Sequence, residues 1–163
     1  MRSRTHTLAA LLMALPLTIA AQLNGVYTVN PAGGGNYTTI SAAVNALNTV
    51  GVSGPVTIRI VPGTYPESFT LNQINGTSAT RWVWFESSTL DSTAVTIGPG
   101  ADSTTIKLLD CDYVGFRYLR VKAPDRGFEG NSYPTNIEIH HCVVFGYGPL
   151  EQEIGRASCR ERV

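Results

Sequence analysis

Charged residues and cysteines are both scarce in this chain of 163 residues. Charged side chains make up 15% of it, and between residues 22 and 152 seven basic against ten acidic residues leave a net charge of −3. A mildly acidic surface argues against a nucleic-acid partner, because clustered Lys and Arg bind the phosphates of nucleic acids. The three cysteines show no CxxC or Cys/His ligand spacing, so a zinc site is unsupported.

Helical patterning is nearly absent as well. Residues 37–50 place Ile40, Ala43, Val44 and Leu47 at helical spacing, and no second segment carries a convincing apolar stripe, which argues against a βαβ sheet. Thr, Val, Ile, Tyr, Asn and Gly are abundant instead, a composition typical of strands and turns. Apolar patterning between turn residues predicts eight strands, at residues 26–29, 56–61, 68–71, 82–85, 95–97, 104–108, 114–121 and 137–145.

A weak internal repeat favours a solenoid of strands over a sandwich or a barrel. Residues 112–121 and 135–144 align with an offset of 23 residues, the length of one coil of stacked strands. The alignment puts Cys111 on Pro134, and we interpret Cys142 as a small buried stacking residue. A disulfide between Cys111 and Cys142 stays open, since export would permit one. The aligned apolar pairs are Val114/Ile137, Phe116/Ile139, Leu119/Cys142 and Val121/Val144.

The two ends of the chain differ in character from its middle. Arg2 and Arg4 precede an apolar run that ends in small residues at Ala20 and Ala21, which predicts a secretory signal peptide over residues 1–21. Residues 153–163 read EIGRASCRERV, which resembles the translation of a common sequencing adapter, so we expect this segment to be an artefact and the natural protein to continue differently. We therefore predict a cap over residues 22–55 and the first coils of an incomplete solenoid over residues 56–152.

A family resemblance supports the solenoid. The stretch YTVNPAGGGNYTTISAAVNALN, followed by GPVTIRIVPGTYPESFTL, resembles the N-terminal cap of pectin-lyase-like β-helix proteins, pectin methylesterases in particular. It also resembles the leading segment of secreted β-helix proteins from Bacteroidetes. The resemblance covers residues 24–152 and implies an all-β, right-handed parallel β-helix with an N-terminal capping α-helix. The helix would cover the open end of the coil stack, where core side chains would otherwise meet water.

The catalytic pattern of pectin methylesterases is not matched. That family carries a Q-A-V motif before a strand ending in C-x-F-x-G-Y-Q-D, and its reaction uses a pair of aspartates helped by glutamines and an arginine. Here residues 142–150 read CVVFGYGPL, with Gly148 and Pro149 in place of the Gln-Asp pair, and no Q-A-V precedes them. Neither Gly nor Pro has a side chain that transfers protons or holds an oxyanion. We therefore disfavour esterase activity by that mechanism and predict no catalytic residue in this segment.

Carboxylates and histidines give only weak signs of a metal site. Asp110 and Asp112 flank Cys111 at strand spacing and could share a face, but calcium takes six to eight oxygen ligands, so we favour solvated turn residues. No cofactor is predicted. His140 should point outward and His141 should lie at a bend; without a third ligand, both are better interpreted as surface residues than as a metal site.

Two tryptophans are the best candidates for a binding site. Trp82 and Trp84 share one face of a strand, where they could stack on a sugar ring, although large aromatics are more often buried in packing. The first hypothesis is an exported bacterial module, secreted or at the cell surface, that binds polysaccharide or displays its surface toward it. It would have no membrane span after signal cleavage. The alternatives are a polysaccharide lyase or hydrolase whose catalytic coils lie downstream, and a structural spacer of an adhesin.

Overall fold

A computed structural model describes residues 21–132, 134–146 and 153–154 of the chain. The predicted signal peptide lies almost entirely outside these residues, as do Gly148, Pro149 and most of the predicted artefact. In the described part, no helix is long and apolar enough to cross a membrane. The elements are β1 (Leu23–Val29), α1 (Ile40–Val50), β2 (Val52–Ile60), β3 (Gly63–Tyr65), β4 (Phe69–Leu71), β5 (Val83–Ser87), β6 (Val95–Ile97), β7 (Thr104–Leu109), β8 (Asp112–Arg117), β9 (Arg120–Ala123), β10 (Arg126–Asn131), β11 (Thr135–His140), β12 (Val143–Gly146) and β13 (Glu153–Ile154).

The strands form three sheets that the chain visits in rotation. Sheet A has the order β1-β2-β5-β8-β11, sheet B the order β3-β6-β9-β12-β13, and sheet C the order β4-β7-β10. All pairings among β1 to β12 are parallel, and only β13 runs antiparallel to its neighbour. The result is a parallel β-solenoid of about five turns with one short helix, so the fold class predicted from the sequence is confirmed.

The 23-residue repeat is confirmed as one coil of the solenoid. Val114 pairs with Ile137, Phe116 with Ile139, and Val121 with Val144. Inside the coils these rows stack side chain on side chain: the rings of Phe85 and Phe116 lie 5.3 Å apart at 14°. Burying one large apolar side chain in such a stack stabilises the fold by about 2 kcal/mol. A shift in register would lose this stabilisation, so the stacking favours the observed register. The fourth predicted pair is buried as well, with Leu119 and Cys142 at the same corner of adjacent coils.

Two predicted strands are each divided by a corner. Residues 114–121 and 137–145 were expected to be continuous, but Tyr118 (φ 56°) and His141 (φ 51°) adopt the left-handed conformation and turn the chain from sheet A into sheet B. The two residues occupy equivalent positions 23 residues apart, and their rings stack at 4.9 Å and 14°. The bend expected at His141 is therefore present, and the stacked rings help offset the cost of a strained backbone at each corner.

Three further strands were not predicted: β3, β10 and the two-residue β13, which pairs with β12. The sequence of β3 begins at Gly63, which follows Pro62 and indicates a turn, and β10 contains Gly127, Gly130 and Asn131, which are poor strand formers. Both form because the strand in the neighbouring coil offers backbone groups with which they pair: β3 pairs with β6, and β10 pairs with β7. Tertiary pairing has overridden local propensity in both cases.

The helix α1 covers the first end of the coil stack. Thr39 caps its N-terminus by accepting a hydrogen bond from the amide of Ala42, and Gly51 ends it with φ 71°. The four apolar residues predicted at helical spacing are all buried against the core: Ile40, Ala43, Val44 and Leu47. This arrangement confirms the predicted role of the helix, which keeps the apolar interior of the first coil from water.

The sequence GTYPE at residues 63–67, a G-x-Y-x-E motif within the stretch that resembles pectin methylesterases, attaches this helix to the solenoid. Tyr65 is buried and donates its hydroxyl to the carbonyl of Val61. The Glu67 carboxylate accepts hydrogen bonds from the backbone amides of Ile40 (3.1 Å) and Ser41 (2.8 Å), and from the Ser41 hydroxyl. A carboxylate at a helix N-terminus satisfies amides that have no partner inside the helix and complements the helix dipole. The motif therefore has a structural role that the sequence alone did not reveal.

Candidate functional site

The outer face of sheet A carries a group of aromatic and charged side chains that contact one another. Because side chains alternate along a strand, each strand of sheet A sends one residue of every pair outward. Pairing in register then lines these residues up in rows across the coils. One outward row is Thr57, Trp84, Gly115 and Glu138, and the next is Arg59, Glu86, Arg117 and His140.

Trp84 lies flat across the neighbouring strand. Three atoms of its six-membered ring, Cζ3, Cε3 and Cη2, are almost equally close to the point where a Cβ of Gly115 would stand. Near-equal distances of this kind arise when a ring approaches with its face, since an edge-on approach would leave two of the atoms clearly farther away. The indole of β5 therefore rests on the backbone of β8, in space that only a glycine leaves open.

Other side chains surround this ring. The Trp82 ring lies 5.6 Å from that of Trp84 at 18°, and the edge of Tyr113 meets Trp82 at 5.5 Å and 81°. His140 of β11 stacks on Trp84 at 6.0 Å and 30°, and the guanidinium carbon of Arg117 lies 4.8 Å from the centre of the Trp84 ring. All five residues are half-buried. We call these five residues the aromatic patch.

The tryptophan pair shows both properties that the sequence left as alternatives. Trp82 and Trp84 share the outer face, while Val83 and Phe85 point into the core, as alternation predicted. Their rings nevertheless pack on each other and on sheet residues, so neither side chain is free to rotate. The neighbours that hold them come from sheet A itself and not from the N-terminal cap.

A row of alternating charge runs beside the aromatic patch. Glu86 is buried although it points outward, because Arg59 and Arg117 cover it from the two adjacent strands. Arg59 Nε lies 2.9 Å from Oε1, while Arg117 Nε and Nη2 lie 2.7 and 2.6 Å from Oε2. The arginine side chains remain 52% and 38% exposed. Two cations around one anion give this row a net positive charge, which Glu138 in the neighbouring outward row balances.

The two histidines are adjacent, one at the end of a strand and the other at the corner that follows it. His140 ends β11 and its Nε2 lies 2.9 Å from Oε2 of Glu138, next to Trp84. His141 is exposed at the corner and stacks on Tyr118. The prediction that both are surface residues agrees with their positions, although His140 belongs to the aromatic patch, which the sequence did not indicate.

The two weak metal candidates serve in coil contacts. The Asp112 carboxylate accepts hydrogen bonds from the amide (2.9 Å) and the hydroxyl of Thr135, its register partner in the next coil. Asp110 is exposed at a left-handed corner (φ 52°), where its amide donates to the carbonyl of Asn131. No group of three or more metal-ligating side chains occurs within the described ranges. The Asp112 contact links adjacent coils, and its Oδ1 atom is already engaged.

The two cysteines of the solenoid are free and buried. Burial raises the pKa of the Cys111 thiol to about 11, and burial likewise raises the pKa of the Cys142 thiol to about 11. Cys142 donates its thiol to the carbonyl of His140 at 3.4 Å. Thiols that stay protonated at neutral pH are poor nucleophiles, so both act as small apolar core residues.

Comparisons of the chain with protein-family models, with curated proteins and with solved structures find no match. The function therefore has to be argued from the geometry of the outer face of sheet A. This face combines a fixed aromatic surface with exposed guanidinium groups and the Glu138–His140 pair. Chemically, such a surface can stack on the C–H face of a ring and hydrogen-bond to hydroxyls or anionic groups around it.

Proposed function

We propose that this chain is an exported module that binds polysaccharide on the outer face of sheet A. The observation that carries the proposal is the aromatic patch, in which Trp82 and Trp84 are half-buried, outward-facing and held in place by packing. A sugar presents an apolar C–H face and a rim of hydroxyls, and an aromatic ring beside polar groups complements both. The fixed rings would lose little conformational entropy on binding, which favours affinity.

The charged row supplies the polar part of the proposed site. Arg59 and Arg117 direct part of their donors to Glu86, and their exposed remainder can donate to sugar hydroxyls or carboxylates. Glu138 and His140 can accept or donate at the other side of Trp84. The site would therefore recognise a glycan by stacking first and by hydrogen bonds around the ring second.

Two other functions compete with this proposal. A lyase or hydrolase needs a carboxylate or base free to exchange protons. At this face both Glu86 oxygens are occupied by arginines, which leaves Glu138, paired with His140, as the free carboxylate of the two outward rows. A single free carboxylate does not supply the pair that a glycoside hydrolase uses, which favours binding over that reaction. A structural spacer would need no patch of aromatic residues on one outer face. If the chain were such a spacer, it would have no affinity for glycans.

Calorimetric titration of the purified chain with polygalacturonate and with neutral glycans tests the proposal. We expect binding by the parent and a loss of affinity of about tenfold or more in Trp84→Ala, the size of effect seen when a central binding residue is truncated. Phe145→Ala is the matched control, because Phe145 is a half-buried aromatic of sheet B. Absence of binding to every glycan, or equal affinity of parent and Trp84→Ala, would contradict the proposal.

A further inference from the structure

Gly115 is unusual for its position in the solenoid. It lies in the middle of β8, between Val114 and Phe116, in a strand paired on both sides. Glycine weakens a strand there, since it adds backbone entropy to the unfolded chain and packs no side chain. Its φ lies outside the left-handed region, so backbone conformation does not require glycine at this position. The reason for glycine must come from the space above it.

That space is filled by the Trp84 ring. A Cβ at position 115 would overlap Cζ3, Cε3 and Cη2, so any other residue has to push the indole away from the sheet. With glycine present, the ring crosses from β5 over β8 and meets His140 on β11, while the guanidinium of Arg117 lies over it, 4.8 Å from its centre. Aromatic residues that cover a glycine in a sheet are a known stabilising contact. Here the same contact fixes the direction in which Trp84 presents its ring.

We infer that Gly115 is a positioning residue that sets the orientation of the Trp84 ring as a sugar-stacking surface. The role of Gly115 in binding rests on the proposed function, whereas its effect on the orientation of the Trp84 ring does not. Gly115 would not itself contact the glycan and acts only through Trp84. It follows that a single methyl group at position 115 should remove the stacking surface without removing any aromatic residue.

Fluorescence tests the orientation without a ligand. The chain has two tryptophans, so Trp82→Phe leaves Trp84 as its only indole. In that background Gly115→Ala should shift the Trp84 emission to longer wavelength and increase its quenching by acrylamide, because the ring leaves its neighbours. Gly146→Ala is the matched control, since among the described residues a Cβ there would meet only the Asp125 carbonyl oxygen at 3.5 Å. Unchanged emission and quenching in Gly115→Ala would overturn the inference.

A thermodynamic cycle covers the case in which Gly115→Ala folds poorly. The thermal midpoint should fall in Gly115→Ala but not when the same change is made in a Trp84→Ala background, where the space is empty. Equal losses in both backgrounds would overturn the inference. With polygalacturonate or a neutral glycan that the parent binds, Gly115→Ala should lose as much affinity as Trp84→Ala. If the parent binds no glycan, the proposed function fails while the fluorescence and the cycle still decide the orientation.

Discussion

Replacing Glu67 with alanine should loosen the N-terminal helix from the first coil. The carboxylate accepts hydrogen bonds from the amides of Ile40 and Ser41, and Ile40 is fully buried. Leaving one buried amide without an acceptor costs about 1–3 kcal/mol. Losing a negative charge at a helix N-terminus adds about 0.3–1 kcal/mol. Since water can replace the acceptor at exposed Ser41, the two effects together should lower the free energy of unfolding by about 1–4 kcal/mol.

Urea unfolding followed by circular dichroism measures this loss. Glu67→Gln keeps an acceptor oxygen but no charge, so it should lose about 1 kcal/mol, less than the alanine variant. Asp102→Ala is the control, because Asp102 is an exposed carboxylate whose removal should stay within about 0.5 kcal/mol of the parent. A Glu67→Ala variant as stable as Asp102→Ala would refute the reasoning, since the helix would then not depend on the carboxylate for its attachment.

Two further predictions concern buried groups of the solenoid. Glu86→Gln should lower the free energy of unfolding by about 1–3 kcal/mol, because two arginines then face each other without a countercharge. Added salt should restore part of the lost stability, because it screens the repulsion between the arginines. Urea unfolding at low and high salt measures both effects, and a loss independent of salt would contradict the prediction. Cys111 and Cys142 have pKa values raised by burial from 9.0 to about 11, so the unfolded chain releases their protons first, and stability that is complete below pH 9 should fall as pH rises toward 11. A Cys159→Ser variant lacks the third thiol of the chain, and its unfolding between pH 8 and about 11 measures that loss. The loss should shrink when Cys142 is also replaced by alanine, and an unchanged slope would count against the prediction.

The core of the fold could be predicted from the sequence because it repeats. Helical spacing located α1, and the alignment of residues 112–121 with 135–144 gave the correct register of two coils. The repeat also placed a bend at His141, but the equivalent corner at Tyr118 was missed, since a left-handed residue other than glycine leaves no compositional signal. The strand β10 was also missed, because its residues pair only through the neighbouring coil.

The candidate site was predictable only within a single strand. Alternation placed Trp82 and Trp84 on one face correctly, since that pattern is local. The burial of Glu86 was not predictable, because its two arginines lie 27 residues before it and 31 residues after it. Neither distance equals the 23-residue offset that the visible repeat supplied. Without the register of those longer coils, Glu86 resembles an ordinary exposed acid.

The unequal coils explain how the site residues also specify the fold. Extra residues are accommodated in turns, so strands 27, 31 and 23 residues apart still stack in register. A slip of one residue in β5 would turn Trp84 and Glu86 toward the core and Phe85 toward solvent, burying a charge without partners. The salt bridges of Glu86 and the contact between Trp84 and Gly115 exist only in the correct register. Selection for the outer face of sheet A would therefore also preserve the alignment of the coils beneath it.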